Sequence, residues 1–297
     1  MSGYTYSVFG LTVRSDVEFS GVTSAVGRPD VHVRLGSAPV ELRDSVGGGV
    51  LYRYSPDCFL FDIDNVARYL VSNGNDVCIQ PMPGADAATI RLFLFGSAFG
   101  ALLHQRGILP LHGSAILTPR GAIVFIGLSG SGKSTLACAF HQKGYPVLSD
   151  DVCAIRSGDA PAVVPGVPCL MLWADTLQEL GMDPTGLHPV RPRIEKFIFP
   201  LKHGFASDAA VLHAIYMLAP VNSNVPAIVS VKGFRKFEML AQNLYRPRFV
   251  EHLNVEAVQL KQVAEVAQRA LVKVIHRPDT SFEARLIADL IERDFSV

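Results

Sequence analysis

The run Gly127-Leu128-Ser129-Gly130-Ser131-Gly132-Lys133-Ser134 constrains this chain more than any other feature. Its spacing is that of a Walker A P-loop, a motif whose structural setting is a strand before and a helix after. Gly127, Gly130 and Gly132 permit backbone angles that side chains block. The loop amides, including those of Ser129 and Ser131, then close round an oxygen-rich phosphate. A helix starting near Lys133, with Thr135 in its first turn, adds its positive end. Lys133 supplies a mobile ammonium to the β and γ phosphates, and the Ser134 hydroxyl can ligate Mg²⁺. The flanks agree: Ala122–Ile126 reads as a strand and Thr135–Gln142 as a helix stopped by Gly144.

Phosphoryl transfer needs a carboxylate for its metal and often a second to accept the hydroxyl proton. Tyr145-Pro146-Val147-Leu148 reads as the next strand, delivering Ser149-Asp150-Asp151 at its end. In a parallel strand–helix–strand unit that end lies beside the phosphates. Adjacent aspartates on an extended segment point opposite ways, so one faces the site and the other supports it. A turn there would let both face it. Upstream, Leu109–Leu117 and Ala122–Ile126 are strands joined by Thr118-Pro119-Arg120-Gly121, hence antiparallel. That hairpin carries His112 toward the same edge. Further on, Arg191, Arg193 and Lys196 form a cationic cluster. Transition-state charge on a phosphoryl group calls for such cations, and Lys196 is anchored by the apolar run Phe197–Leu201.

The rest of the chain divides in two. Residues 1–85 read as short strands broken by turns, predicting a small, mostly antiparallel β domain. Pro81-Met82-Pro83-Gly84 marks the boundary, and residues 86–297 form the phosphate-binding domain. A buried helix is expected over Ala87–Arg106, with Gly96 and Gly100 on one face inviting another backbone. Its uncharged apolar run, Leu92–Leu103, is too short to span a bilayer. C-terminal helices are expected near Glu256–Ile275 and Ser281–Asp294, with a break at Arg277-Pro278. The 27 basic and 27 acidic residues cancel, so nothing advertises nucleic acid or an anionic membrane as partner. No basic flank and apolar core mark a signal sequence, and the five cysteines are scattered. A cytoplasmic protein with reduced thiols is expected.

The order Leu111-His112-Gly113, hairpin, P-loop, then Ser149-Asp150-Asp151 resembles the catalytic domain of bacterial HPr kinase/phosphorylase. That domain is in turn similar to the nucleotide site of ATP-dependent phosphoenolpyruvate carboxykinases. The likeness spans roughly residues 104–172. Val164-Pro165-Gly166-Val167-Pro168 followed by Leu172-Trp173, with Tyr6 to Ser15, looks more like the HPr-kinase-related proteins of peptide-modification clusters, including lasso-peptide kinases. The resemblance implies an α/β fold with a mixed sheet, ATP and Mg²⁺ as cofactors, and a peptide or protein acceptor. It leaves the oligomeric state open between a single chain and a homo-oligomer, hexamers being known in that family. Position by position, it implies that Lys133 and the loop amides hold phosphates. Ser134 shares Mg²⁺ with one aspartate, and Asp150 or Asp151 accepts the hydroxyl proton beside His112. Asp150 is the first choice for the base, which leaves Asp151 with Ser134 at the metal.

The expected function is therefore an ATP- and Mg²⁺-dependent kinase acting on a hydroxyl, first of all a seryl group of a peptide or protein. One rival is a kinase of an amino acid or metabolite. Another is a nucleotide-gated assembly protein without transfer, against which the two aspartates argue. The N-terminal β domain is expected to recognise the acceptor or mediate assembly.

Overall fold

Residues 3–42, 45–49, 52–191, 194–223, 225–249, 255–278 and 283–296 are described by a computed structural model. The chain forms two compact units, Met1–Pro110 with Tyr245–Lys261, and Leu111–Leu244 with Gln262–Val297.

The first unit is built on one sheet. Its strands are β1 (Tyr4–Val8), β2 (Leu11–Ser15), β3 (Val31–Leu35), β4 (Gly47–Gly48), β5 (Tyr52–Ser55), β6 (Cys58–Ile63), β7 (Ala67–Ser72) and β8 (Asp76–Pro81). Their spatial order is β1-β2-β3-β8-β7-β6-β5-β4. The pairs β2–β3 and β3–β8 are parallel and the others antiparallel, so the sheet is mixed. Alternation sets its buried face: Ala67, Tyr69 and Val71 of β7 and Val77 and Ile79 of β8 are wholly buried.

The boundary expected at residue 85 falls elsewhere. Helices α1 (Ala87–Phe93) and α2 (Phe99–Gln105) belong to the first unit, joined by a π-helical turn at Leu94–Ala98. Asp86 caps α1 by accepting from Thr89 N at 2.8 Å, and the Tyr69 hydroxyl donates to Ile90 O at 2.9 Å. The helix is tied to the sheet that precedes it, so a cut at 85 would strip the sheet from its helix. The 19-residue span Ala87–Gln105 is long and apolar enough to cross a membrane by length and composition, but most of it is buried. Gly96 and Gly100 do face a close neighbour. A Cβ on Gly100 would come within 2.9 Å of the Tyr245 ring, so the neighbour is an aromatic ring where a backbone was expected.

Inside this unit His104 is fully buried, with Nε2 at 2.9 Å from Tyr245 O. Burial pushes its pKa from 6.5 down to about 4. The native state then holds fewer protons on this ring than the unfolded chain, so stability falls as pH drops below 6.5 toward 4. Denaturant titration should show wild type losing about 2 kcal/mol more than His104→Gln between pH 7 and pH 5. Equal losses would contradict this account of the ring.

In the second unit the strands are β9 (Leu109–Thr118), which begins at the end of the first, β10 (Gly121–Ile126), β11 (Val147–Ser149), β12 (Val152–Arg156), β13 (Ala162–Val164), β14 (Cys169–Trp173), β15 (His188–Pro189), β16 (Lys196–Pro200), β17 (Ala210–Val221), β18 (Ala227–Ser230) and β19 (Leu271–Pro278). The helices are α3 (Lys133–Gln142), α4 (Ala174–Glu179), α5 (Phe234–Gln242), α6 (Glu256–Arg269, straddling the unit division) and α7 (Ala284–Ser296). The main sheet runs β10-β9-β12-β13-β17-β19-β18, and β10 also pairs parallel with β17, closing a ring. A second sheet has the order β14-β16-β15. Ile116 of β9 pairs antiparallel with Ile123 of β10 and with Val147 of β11. Hence β10 and β11 run the same way on either side of β9, with α3 as their crossover. Phe125 of β10 stacks on Phe140 of α3 at 5.6 Å, within a core that includes Leu136 and, from α7, Ile287 and Ile291.

The C-terminal expectation needs correction. The helix reading over Glu256–Ile275 holds only to Arg269; Leu271–Pro278 is a strand inside the main sheet. Val272, Val274 and Ile275 are β-branched, and pairing with β17 and β18 buries them, which outweighs any helical continuation. Residues 281 and 282 of the expected last helix lie outside the described residues.

Candidate functional site

The ends of β10 and β11 and the start of α3 converge on a cavity of about 340 Å³ in the second unit. The glycine-rich loop leaves β10 through Gly127 at φ 140°, where a Cβ would press within 2.8 Å of Leu218 O. It enters α3 through Gly132 at φ 98°. Both angles favour glycine. Lys133 is 7% exposed and folds back over the loop, donating to Gly127 O and Leu128 O at 2.9 Å each. Burial lowers its pKa, opposed by Asp150 and Asp151. Ser129 and Gly130 line the cavity mouth. Ser131 is buried, and its Oγ meets no partner among the described residues. Thr135 also lines the cavity and shares a hydroxyl hydrogen bond with Thr176 at 3.0 Å.

The two aspartates both line the cavity because Asp151 adopts a left-handed conformation at φ 68°. A turn therefore replaces the opposed alternation of an extended segment. Asp150 is the more enclosed. Its Oδ1 accepts from Ser114 Oγ at 2.6 Å and Ser134 Oγ at 2.9 Å, and its Oδ2 from Met171 N at 2.7 Å. Burial raises its pKa, and the bonds from Ser114 and Met171 hold the shift back. The hydroxyl–carboxylate pair is thus Ser134 with Asp150, where Ser134 with Asp151 was expected.

Asp151 belongs with His112. The ring Nδ1 lies 3.2 Å from Asp151 O and 3.5 Å from Asp151 Oδ1. A carbonyl only accepts, so Nδ1 is the nitrogen that carries the proton. Burial lowers the His112 pKa, so the ring is neutral at physiological pH and the contact is a hydrogen bond. His112 and Ser114 sit two apart on β9, on one face, and each meets one aspartate.

Of the cationic cluster, Lys196 lines the cavity with its Nζ 5.8 Å from the Trp173 ring centroid. Arg191 is exposed, and Arg193 lies outside the described residues. Several residues were not foreseen. Arg277, at the end of β19, is 9% exposed and donates from Nε to Ser131 O at 3.1 Å; the sequence reading placed it at a break between helices. Asn243 Oδ1 accepts from Gly127 N at 3.0 Å while its O accepts from His112 N at 2.8 Å. It fastens loop and histidine strand together, and no local signal marks it. Ser114 was legible from period-two alternation with His112.

Together these features define a mixed α/β unit in which a glycine-rich loop, a buried lysine and two aspartates share one cavity. No family model matches the chain, and no curated protein matches it. Among solved structures it is distantly similar to the Hpr(Ser) kinase/phosphatase from Coxiella burnetii, with 13% identity and a TM-score of 0.34. That match covers 63% of this chain and 95% of the other.

Proposed function

We propose that the second unit is an ATP- and Mg²⁺-dependent phosphotransferase that moves the γ-phosphoryl group to a hydroxyl, first of all a seryl group of a peptide or protein. The observation that carries it is the one cavity that the glycine-rich loop, Lys133, Asp150 and Asp151 line together. Lys133 leaves the loop carbonyls to meet the β and γ phosphates. Lys196 and Arg277 add positive charge against that developing on the phosphoryl oxygens.

The residues present fit a magnesium ion. Ser134 Oγ and Asp150 Oδ1 lie 2.9 Å apart, and neighbouring ligands of an octahedral Mg²⁺ at 2.0–2.1 Å are separated by about that distance. Among the described residues no group of three or more His, Cys, Asp and Glu could hold a metal. That suits an ion completed by phosphate oxygens and water. When bound, Mg²⁺ would neutralise charge on the β and γ phosphates. Asp150 is accordingly assigned to the metal with Ser134. Asp151, with a side chain 23% exposed, is assigned as the base. It takes the acceptor hydroxyl proton as the oxygen bonds to Pγ and the bond from Pγ to the departing ADP oxygen breaks. Neutral His112, donating from Nδ1, fixes the Asp151 backbone and flanks its carboxylate.

The test is transfer from γ-labelled ATP with Mg²⁺, offered peptides ending in serine, intact HPr and free serine. Label on a peptide or protein supports the reading. Label on free serine alone would replace it with a small-molecule kinase. ATP binding with no label on any acceptor would point to nucleotide-gated assembly.

A further inference from the structure

Beyond the phosphates, one wall of the cavity has no role in the transfer. The segment β14–α4 is stitched to the phosphate machinery at both ends. Met171 N donates to Asp150 Oδ2 at 2.7 Å, and Thr176 shares its hydroxyl bond with Thr135 in the first turn of α3 at 3.0 Å. Between and just beyond these ties, Trp173, Asp175 and Glu179 line the cavity. Trp173 is the chain's single tryptophan and is 44% exposed.

Charge orders the two ends. Lys133 and Arg277 suit phosphates, whereas Asp175 and Glu179 repel them; Lys196 stands at the indole, its Nζ 5.8 Å from the Trp173 ring centroid. Carboxylates on a cavity wall accept from hydroxyls or amines. Asp175 Oδ1 accepts from Thr176 N at 2.6 Å, and Glu179 Oε1 from Ala284 N at 3.4 Å; on each carboxylate this leaves an oxygen to receive a donor. In a P-loop the γ-phosphate lies toward the metal carboxylate, and the α-phosphate meets the amides at the helix start. Here those places are Asp150 and Thr135. The group that follows the α-phosphate is the ribose, and it emerges where Thr176 holds α4 against Thr135.

We infer that Trp173, Asp175 and Glu179 form the nucleoside subsite, with the base stacked on the indole and the ribose hydroxyls donating to the two carboxylates. This rests on the nucleotide reading above. An exposed indole at the edge of a phosphate site offers a stacking surface that any base can use, which selects a nucleotide over inorganic polyphosphate without choosing the base.

Calorimetric titration of the intact chain with ATP, 2′-deoxy-ATP and tripolyphosphate, each with Mg²⁺, tests it. Wild type should bind ATP about tenfold tighter than tripolyphosphate and bind 2′-deoxy-ATP more weakly than ATP. Trp173→Ala should weaken ATP about tenfold and leave tripolyphosphate unchanged, which also shows that the variant folds. Glu179→Gln should narrow the gap between ATP and 2′-deoxy-ATP. The inference is overturned if ATP and tripolyphosphate bind wild type equally. It is also overturned if the variants spare ATP and raise only the KM of a phosphate acceptor, which would make this wall the acceptor's. Failure of both ATP and tripolyphosphate to bind would instead overturn the phosphate-loop reading itself.

Discussion

Asp150→Asn and Asp151→Asn are expected to slow transfer by orders of magnitude for different reasons that nucleotide binding separates. Asp150 takes three donors, two hydroxyls and the Met171 amide, and its burial disfavours the charged form. An asparagine there can keep its oxygen on Met171 N and donate its amide to the hydroxyls, so the fold tolerates it. Relief of a buried charge should raise the thermal stability of the free chain. Loss of the charge should weaken the Mg²⁺ dependence of ATP binding and lower kcat/KM by about 10³-fold. Asp151→Asn should leave the Kd for ATP with Mg²⁺ near wild type and lower kcat by about 10²–10⁴-fold, the range for a general base. Titration of each variant with ATP at several Mg²⁺ concentrations, beside labelled transfer, reads both. If Asp151→Asn carries the metal defect and Asp150→Asn does not, the two assignments are reversed. The pH profile gives a further reading. His112 lies beside Asp151 with its pKa lowered by burial, so His112→Gln should lower activity at neutral pH without removing a titration from that range.

Lys133→Ala is expected to cost about 10³-fold in kcat/KM, or about 4 kcal/mol of transition-state stabilisation. In the free chain the ammonium is spent on two loop carbonyls at 2.9 Å and sits in a buried setting that lowers its pKa. Its removal strands those carbonyls but also removes a desolvated charge, so the melting temperature should move little. Lys133→Arg should not restore transfer, because a planar guanidinium cannot fill the space of a compact ammonium inside a closed loop. Transfer that survives Lys133→Ala within tenfold would mean that the loop does not hold the reacting phosphates.

Much of this site can be read before any folding is considered. Residues 127–134 announce a strand–loop–helix because glycines at fixed positions, flanked by an apolar run and a helix-forming run, leave the backbone few alternatives. The hairpin of β9 and β10 follows from its four-residue turn, and the strand before Asp150 from its brevity and position. Local signals of this kind act within a few residues, so the linear order carries them. The same alternation on β9 places Ser114 with His112, although only the histidine was singled out.

Other features required the tertiary structure. Which aspartate meets Ser134 depends on the left-handed turn at Asp151 and on donors from Ser114 and Met171, 36 and 21 residues from Asp150. Arg277 reaches the loop because Leu271–Pro278 is recruited as a strand between β17 and β18. A helix-like composition in isolation becomes a strand when two neighbours bury its β-branched residues. The first unit likewise draws its last elements from Tyr245–Lys261, far along the chain. The sequence by itself determined the glycine-rich loop, its flanking elements and the chemical types beside it, because these rest on local backbone freedom and side-chain chemistry. The partner of each carboxylate, the third cation and the limits of the units were decided by pairings between distant segments, whose energies no local pattern contains.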